Sequence, residues 1–472
     1  MWTMPAQPVS LAWSGGRTEL DDSAAVWLRL DGAADPVRLA LSPDPGLAPV
    51  LIEEDSAEHE GTAGGLEVSQ RVTAGEHCQL RWVVGVPEDA AATDLELEVT
   101  LPQGQYGWLW PSGADGFLAV FPASGAGPVL VLHAVQAGLR GAGESADGRT
   151  VRLAVTADGL APGDRQVVIL RAVALPGLPA AAALLPSWFE ALTLEAGDEW
   201  EAPLADLGVD CAAPVSVTHP EADDRVRITA PAGRHRVGIH GRRGVTELTL
   251  EVAPPAADLL GPLAERLLDA GALDSAGAVV VHRALQSGRL PRRPAVEDAL
   301  DRFDWTSRGD LLAIAFGSER AIAEGERQMA GEAVRQVAAL SPMPGLARVR
   351  SLAWFAASAL GVDTGPLVPR LDGPPAAVLE EELLLGRRTP AGRAGLAAAI
   401  NRLGAGLPGR PVGLGFTAQA QLVGVLESCP EDWPEAPLAG FTAQAARHRI
   451  LAGYQAGDVT DLTPLAWLLV SG

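Results

Sequence analysis

Carboxylates set beside a tryptophan offer this chain its best chance of bond-breaking chemistry. Between Glu297 and Asp310, Asp298 and Asp301 lie one helical turn apart, and Asp304 continues the row next to Trp305. Asp301, Asp304 and Asp310 around Trp305 could supply an acid and a base to the two sides of one glycosidic bond, their separation deciding the stereochemistry. Trp305 and partial burial would raise one carboxyl, while Arg302 or Arg308 would keep another ionised. The plain alternative is a solvated helix end followed by the acidic start of the next helix.

A second constellation runs from Gln103 to Trp110. On a strand, Tyr106, Trp108 and Trp110 share one face, and flat rings with polar handles can stack on sugar rings. Gln103, Gln105 and Asp115 would add hydrogen bonds. Here the alternative is a sheet core, the commoner place for tryptophan. A third is basic: Arg225, Arg227, Arg234, Arg236, Arg242 and Arg243, with His235 and His240, are concentrated in an otherwise acidic chain. They could grip a carboxylate or phosphate bidentately, dock the acidic remainder of the protein, or form a solvated strand face. Glu380, Glu381 and Glu382 read as an exposed face or a first helical turn.

Other chemistries are pruned. The 36 basic residues are all arginine, which removes Schiff-base catalysis and the phosphate-loop lysine together. Glycine-rich stretches at 141–146, 404–409 and 413–418 each lack the strand–turn–helix context of a dinucleotide site, so no cofactor is expected. His59-Glu60 is not continued by a second histidine, and Ser275 lacks the first glycine of a nucleophile elbow. Cys78, Cys211 and Cys429 are too few and too far apart for a disulfide framework or a metal site. A net charge of −23 disfavours nucleic acid and anionic membrane surfaces as partners. The apolar stretches are too short or too Pro-interrupted to span a bilayer, and the N-terminus has no clean secretion signal; the expected compartment is the cytoplasm.

The elements that must position these groups change character near Pro254-Pro255. Before it, Ala25–Leu30, Leu66–Val72, Gln79–Val84, Leu95–Leu101 and Thr150–Val155 alternate apolar with polar, the period of half-buried antiparallel strands. Ala-Asp-Gly triplets ending at Gly116, Gly148 and Gly159 read as hairpin turns. Pro231-Ala-Gly233 reads as a hairpin joining Asp224–Thr229 to Arg234–Ile239. After Pro255, Leu259, Leu263 and Leu267 open a series of short helices broken by Gly and Pro. The motif Gly415–Ala420 recurs as Gly440–Ala445, suggesting two helices that start alike.

The expected fold is multidomain: an antiparallel β-sandwich over 1–186, a small Ig-like β module over 187–255, and an all-α (α/α) array over 256–472. A sandwich feeding an α/α array resembles, in architecture alone, glycoside hydrolases and phosphorylases built on an (α/α) toroid. That resemblance implies a carbohydrate-active protein, a glycoside hydrolase or a degenerate relative, holding a glycan or small ligand between sandwich and helices. The other reading is a non-catalytic scaffold that binds a protein or glycan; the oligomeric state stays open. What separates the two is whether carboxylates converge in a cleft between the halves.

Overall fold

A computed structural model describes residues 9–471, apart from 22, 34, 44–45, 89–94, 146, 155–159, 190–192, 205–206 and 220–224. The triplet ending at Gly159 therefore lies outside the described residues, as does Asp224.

The N-terminal part is a sandwich of two antiparallel sheets. One runs Val9–Trp13, Gly16–Leu20, Val26–Leu30, Val37–Ser42, Glu96–Thr100, Thr150–Ala154, Arg140–Glu144. The other begins with Arg410–Val412, Gln105–Trp110, Phe117–Pro122, Val129–Gln136 and Arg165–Leu175. It continues through Cys78–Gly85, Leu66–Thr73, Ser56–Ala63 and Ala48–Ile52. Alternation puts one face of each strand inside: Leu66, Val68, Leu80, Trp82, Val84, Leu97 and Val99 fill the space between the sheets. One strand of the second sheet, Arg410–Val412, comes from the helical half of the chain and pairs with Gly107–Leu109.

Three strands of that sheet are buried on both faces. Leu109, Leu118, Val120, Leu130 and Leu132 point into the sandwich. Their alternates Trp108, Trp110, Phe117, Phe121, Val129 and Val131 point outward, into a second core shared with the rest of the protein. Such strands read as continuous apolar runs because neither face meets water.

Seven strands between 194 and 253 form the small module. Leu194–Glu195, Gly244–Ala253, Gly233–Gly241 and Gly208–Cys211 make one sheet; Glu199–Ala202, Val226–Thr229 and Ser216–Thr218 make the other. The expected hairpin about Pro231 is not formed. Val226–Thr229 and Gly233–Gly241 belong to different sheets, and Pro231 marks the crossing between them. The true hairpin joins Gly233–Gly241 to Gly244–Ala253 through Arg242-Arg243, with Gly244 at a positive φ of 125°. Gly148 (φ 65°) makes its expected turn, but at 114–116 the positive φ falls on Gly113 (72°) and Asp115 is buried.

The last strand ends at Ala253 and the first helix begins at Ala256. Eleven α-helices among the described residues follow, from Ala256–Ala270 to Thr463–Ser471. The last packs on Ser275–Gln286 as well as on Phe416–Glu427, so the end of the array returns to its beginning. The repeated motif has two fates. Gly415 is the N-cap of Phe416–Glu427, whereas Gly440 lies inside Ala436–Ala456, which starts earlier. Glu380–Glu382 are buried rather than exposed: Glu381 is paired with Arg350, Glu380 faces Arg348 at 3.5 Å, and Glu382 accepts from Thr389 at 2.8 Å.

Two buried histidines give the fold a pH signature. His133, at the junction of sandwich and module, and His282, edge-on to Phe316, are both pushed down to about 4, chiefly by burial. Each is neutral in the folded protein, so its contribution is complete above the ordinary histidine value of ~6.5 and is lost as pH falls from there toward 4. Imidazole proton resonances in NMR should give midpoints near 4 for these two residues; midpoints near 6.5 would show the packing around them to be wrong.

Candidate functional site

The site is assembled from the module hairpin outward. Its antiparallel register sets Arg234 opposite Glu251, Arg236 opposite Thr249 and Gly238 opposite Glu247. Period two places these residues on one face of the sheet. The helix Ala436–Ala456 packs on those two strands and presents Ala445, His448 and Arg449, three and four residues apart on one helical face. Gly457 (φ 81°) ends that helix and turns the chain so that Asp458 reaches back to Arg234. The start of the next-to-last long helix, Phe416–Glu427, adds Phe416 and Gln419.

The sandwich closes the other side with Trp110, Arg140, Glu144 and the Gly148 turn. The segment 406–415 crosses between the halves. It is pinned by the Arg410–Glu144 ion pair and by the Gly413 N–H donating to Glu144 Oε2 at 3.0 Å. Together these pieces enclose a cleft of about 1090 Å³ where sandwich, module and helices meet.

Its wall holds a desolvated charge network. Glu251 lies between two guanidiniums, 3.5 Å from Arg234 Nε and 3.4 Å from Arg449 Nε. Arg234 also donates to Asp458 Oδ2 at 2.8 Å and to the Arg449 carbonyl at 3.3 Å. Arg449 lies 5.0 Å over the Trp108 ring and donates to Gln419 at 3.4 Å; Arg234 lies 5.7 Å over Phe416. Removing two guanidiniums and a carboxylate from water is costly unless each is paired, and here ion pairs and ring faces replace the water. Burial pushes the Glu251 carboxyl up, against the pull of Arg449 and Arg234. Burial also pushes the His448 imidazole down, offset in part by Glu195, whose Oε1 is 3.6 Å from His448 Nε2. His448 is 4% exposed, and its Nδ1 has no partner among the described residues.

The residues singled out from sequence fall in several places. Tyr106, Trp108 and Trp110 do share a face, but it is turned toward the second core. Tyr106 is half-buried with Arg402 at 4.4 Å over its ring. Trp108 is 0% exposed and donates from Nε1 to the Pro408 carbonyl at 2.8 Å, so it is a floor for Arg449 and not a ring open to ligand. Trp110, 3% exposed, packs on Phe117 and Phe189 and has an edge in the cleft. Trp305 is buried in the helical array against Gly317.

Asp301, Asp304 and Asp310 do not line the cleft. Asp301 is paired with Arg320, and Asp310 caps the helix Leu311–Glu324 through the Ala313 N–H while accepting from Ser275 at 2.5 Å. Asp304 is exposed, and the Thr306 and Ser307 hydroxyls hold its carboxyl below the usual range. Of the basic concentration, Arg234, His235 and Arg236 reach the cleft, Arg225 and Arg227 pair with Glu201, and Arg243 pairs with buried Asp115. Sequence reasoning missed Glu251, His448, Arg449 and Asp458. It had flagged Arg234, and the repeated motif contained Phe416 and Gln419. Among the described residues no group of His, Cys, Asp or Glu is placed to hold a metal, and no helix is long and apolar enough to cross a membrane.

No family model and no curated protein matches this chain. Its fold is similar to that of the polysaccharide lyase BACCELL_00875, with a TM-score of 0.52 over 96% of this chain and 82% of that one, at 12% identity. A glycoside hydrolase of family 81 from Clostridium thermocellum (CtLam81A, mutant E515A) aligns over 98% of this chain and 68% of its own, at 10% identity. Its TM-score of 0.26 is too low to bear on the fold. The first likeness extends through both the sandwich and the helical array, and it concerns the fold alone.

Three substitutions check this geometry. Trp108→Ala should cost roughly 3–5 kcal/mol, as for other buried aromatics, and Arg449→Ala about 3 kcal/mol by breaking its pair with Glu251 and its contact with the Trp108 face. Gly404→Ala should also destabilise, because a Cβ there would lie 2.2 Å from the Trp108 ring. Denaturant unfolding measures all three; a Trp108→Ala cost below about 1 kcal/mol would place that ring outside the core.

Proposed function

We propose that this is a carbohydrate-active protein that holds a glycan in the cleft between sandwich, module and helices. The observation that carries the reading is the make-up of that one concavity. Aromatic rings (Phe189, Phe416 and an edge of Trp110) and planar polar groups (Arg236, Glu247) line the same space. Sugars present apolar ring faces edged by hydroxyls, each of which both donates and accepts. Rings cover the faces, and Arg and Glu side chains take neighbouring hydroxyls in pairs.

The charge balance supports a polyhydroxyl ligand over a polyanion. Five arginines and six carboxylates line the cleft, so it offers no cationic excess for a phosphate chain. The fold likeness to a polysaccharide lyase agrees with this reading without carrying it. Carboxylates do converge between the two halves, which favours an enzyme over a scaffold. A catalytic part for Asp301, Asp304 and Asp310 would need a second site, away from this cleft.

The test is calorimetric titration with a panel of neutral and acidic oligosaccharides. Arg236 is exposed in the cleft and has no partner among the described residues. Arg236→Ala should therefore leave stability within about 0.5 kcal/mol, as expected for a surface change. Binding should weaken about tenfold, equivalent to ~1.4 kcal/mol. Phe416→Ala should weaken it similarly. Binding to no glycan in the panel, or binding indifferent to both changes, would contradict the reading.

A further inference from the structure

We propose that Glu251 and Asp458 are the acid and the base of a glycoside hydrolysis carried out in this cleft, a step that rests on the glycan-binding reading above. The geometry begins with Arg234. Its Nε faces Glu251 Oε1 at 3.5 Å and its Nη1 donates to Asp458 Oδ2 at 2.8 Å. One rigid, planar guanidinium thus spaces the two carboxyls. Its small size keeps them within the roughly 5–10 Å over which an acid and a base flank one glycosidic bond.

Their surroundings differ in the sense the chemistry requires. Glu251 stands on a sheet strand, backed by Arg449 and Trp108, with 24% of its side chain open to the cleft. Asp458 stands on the turn after a helix, 51% open. Burial works against the ionised form of the covered Glu251, opposed by Arg234 and Arg449, and suits it better than the open Asp458 to the acid's part. The raised value of Glu251 agrees with this assignment.

A further observation marks the same cleft as a ligand site. His448, one residue before Arg449, lines it while nine-tenths buried, with Nδ1 unpartnered among the described residues. Buried polar groups are ordinarily hydrogen-bonded, and this one is not.

The step balances without a co-reactant other than water. The Glu251 O–H gives its proton to the glycosidic oxygen as the bond from that oxygen to the anomeric carbon breaks. Asp458 takes a proton from the water whose oxygen bonds to that carbon. One sugar leaves as an alcohol and the other as a hemiacetal, and solvent returns the proton from Asp458 to Glu251. Arg234 touches both carboxyls and is a positioning residue.

The experiment pairs binding with turnover on the full chain. The oligosaccharide that binds most tightly is the first substrate, and the 2,4-dinitrophenyl glycoside of its terminal sugar is the second. E251Q should lose at least a thousandfold in kcat on the oligosaccharide but less than tenfold on the dinitrophenyl glycoside, whose leaving group needs no proton. D458N should lose at least a hundredfold on both. Both variants should bind the oligosaccharide within threefold of the unsubstituted protein. D458N lies on an exposed turn and keeps the pair testable if E251Q does not fold. Binding without cleavage by the unsubstituted protein, or turnover retained in E251Q or D458N, overturns this pair and leaves the glycan-binding reading standing. Failure to bind any glycan overturns both.

Discussion

A single carboxylate shared by two arginines lies where the three parts of this protein meet over one apolar core. Glu251 belongs to the small module, Arg449 to the long helix Ala436–Ala456, and the ring beneath Arg449 is Trp108 of the sandwich. Each contact satisfies a group that would be costly to bury alone. Trp108 accepts the cation on its face, and its own N–H is spent on Pro408 in the segment that crosses back to the sheet. Glu251, Arg234 and Arg449 line the cleft where sheet and helix meet, with Trp108 behind them.

Much of the architecture is legible in the chain because most strands are wet on one side. Leu66–Thr73 alternates buried with partly exposed residues along its length, and period two reports that directly. The change to helical period between Ala253 and Ala256 is equally direct, since two prolines end a strand and a helix can begin just after them. Legibility fails where a tertiary contact reverses a local preference. Glu380–Glu382 look solvated until Arg348, Arg350 and Thr389, brought from other elements, enclose them. Pro231-Ala-Gly233 looks like a hairpin because local sequence does not say which sheet each flanking strand joins.

The site was less legible than the fold for a related reason. Its residues come from positions 110, 144, 234–251, 410–419 and 445–458, so no single stretch of the chain contains the whole set. Glu251 sits in an ordinary alternating strand and Arg449 in an ordinary alanine-rich helix. Only the arginine concentration around Arg234 and the repeated Phe-Thr-Ala-Gln segment hinted at the place. The Asp301–Asp310 cluster was conspicuous because its carboxylates are close in sequence. The fold instead uses Asp310 to cap a helix and Asp301 to pair a buried arginine. Local density of acidic residues reported helix ends, and convergence across elements marked the cleft.

Backbone hydrogen exchange with and without a saturating oligosaccharide tests the location of the glycan site most directly. The cleft assignment expects added protection in 234–238, 247–251, 413–419 and 445–449, with the segment 298–310 unchanged. Protection confined to 298–310, or spread along the outer strands of the sandwich, would contradict it.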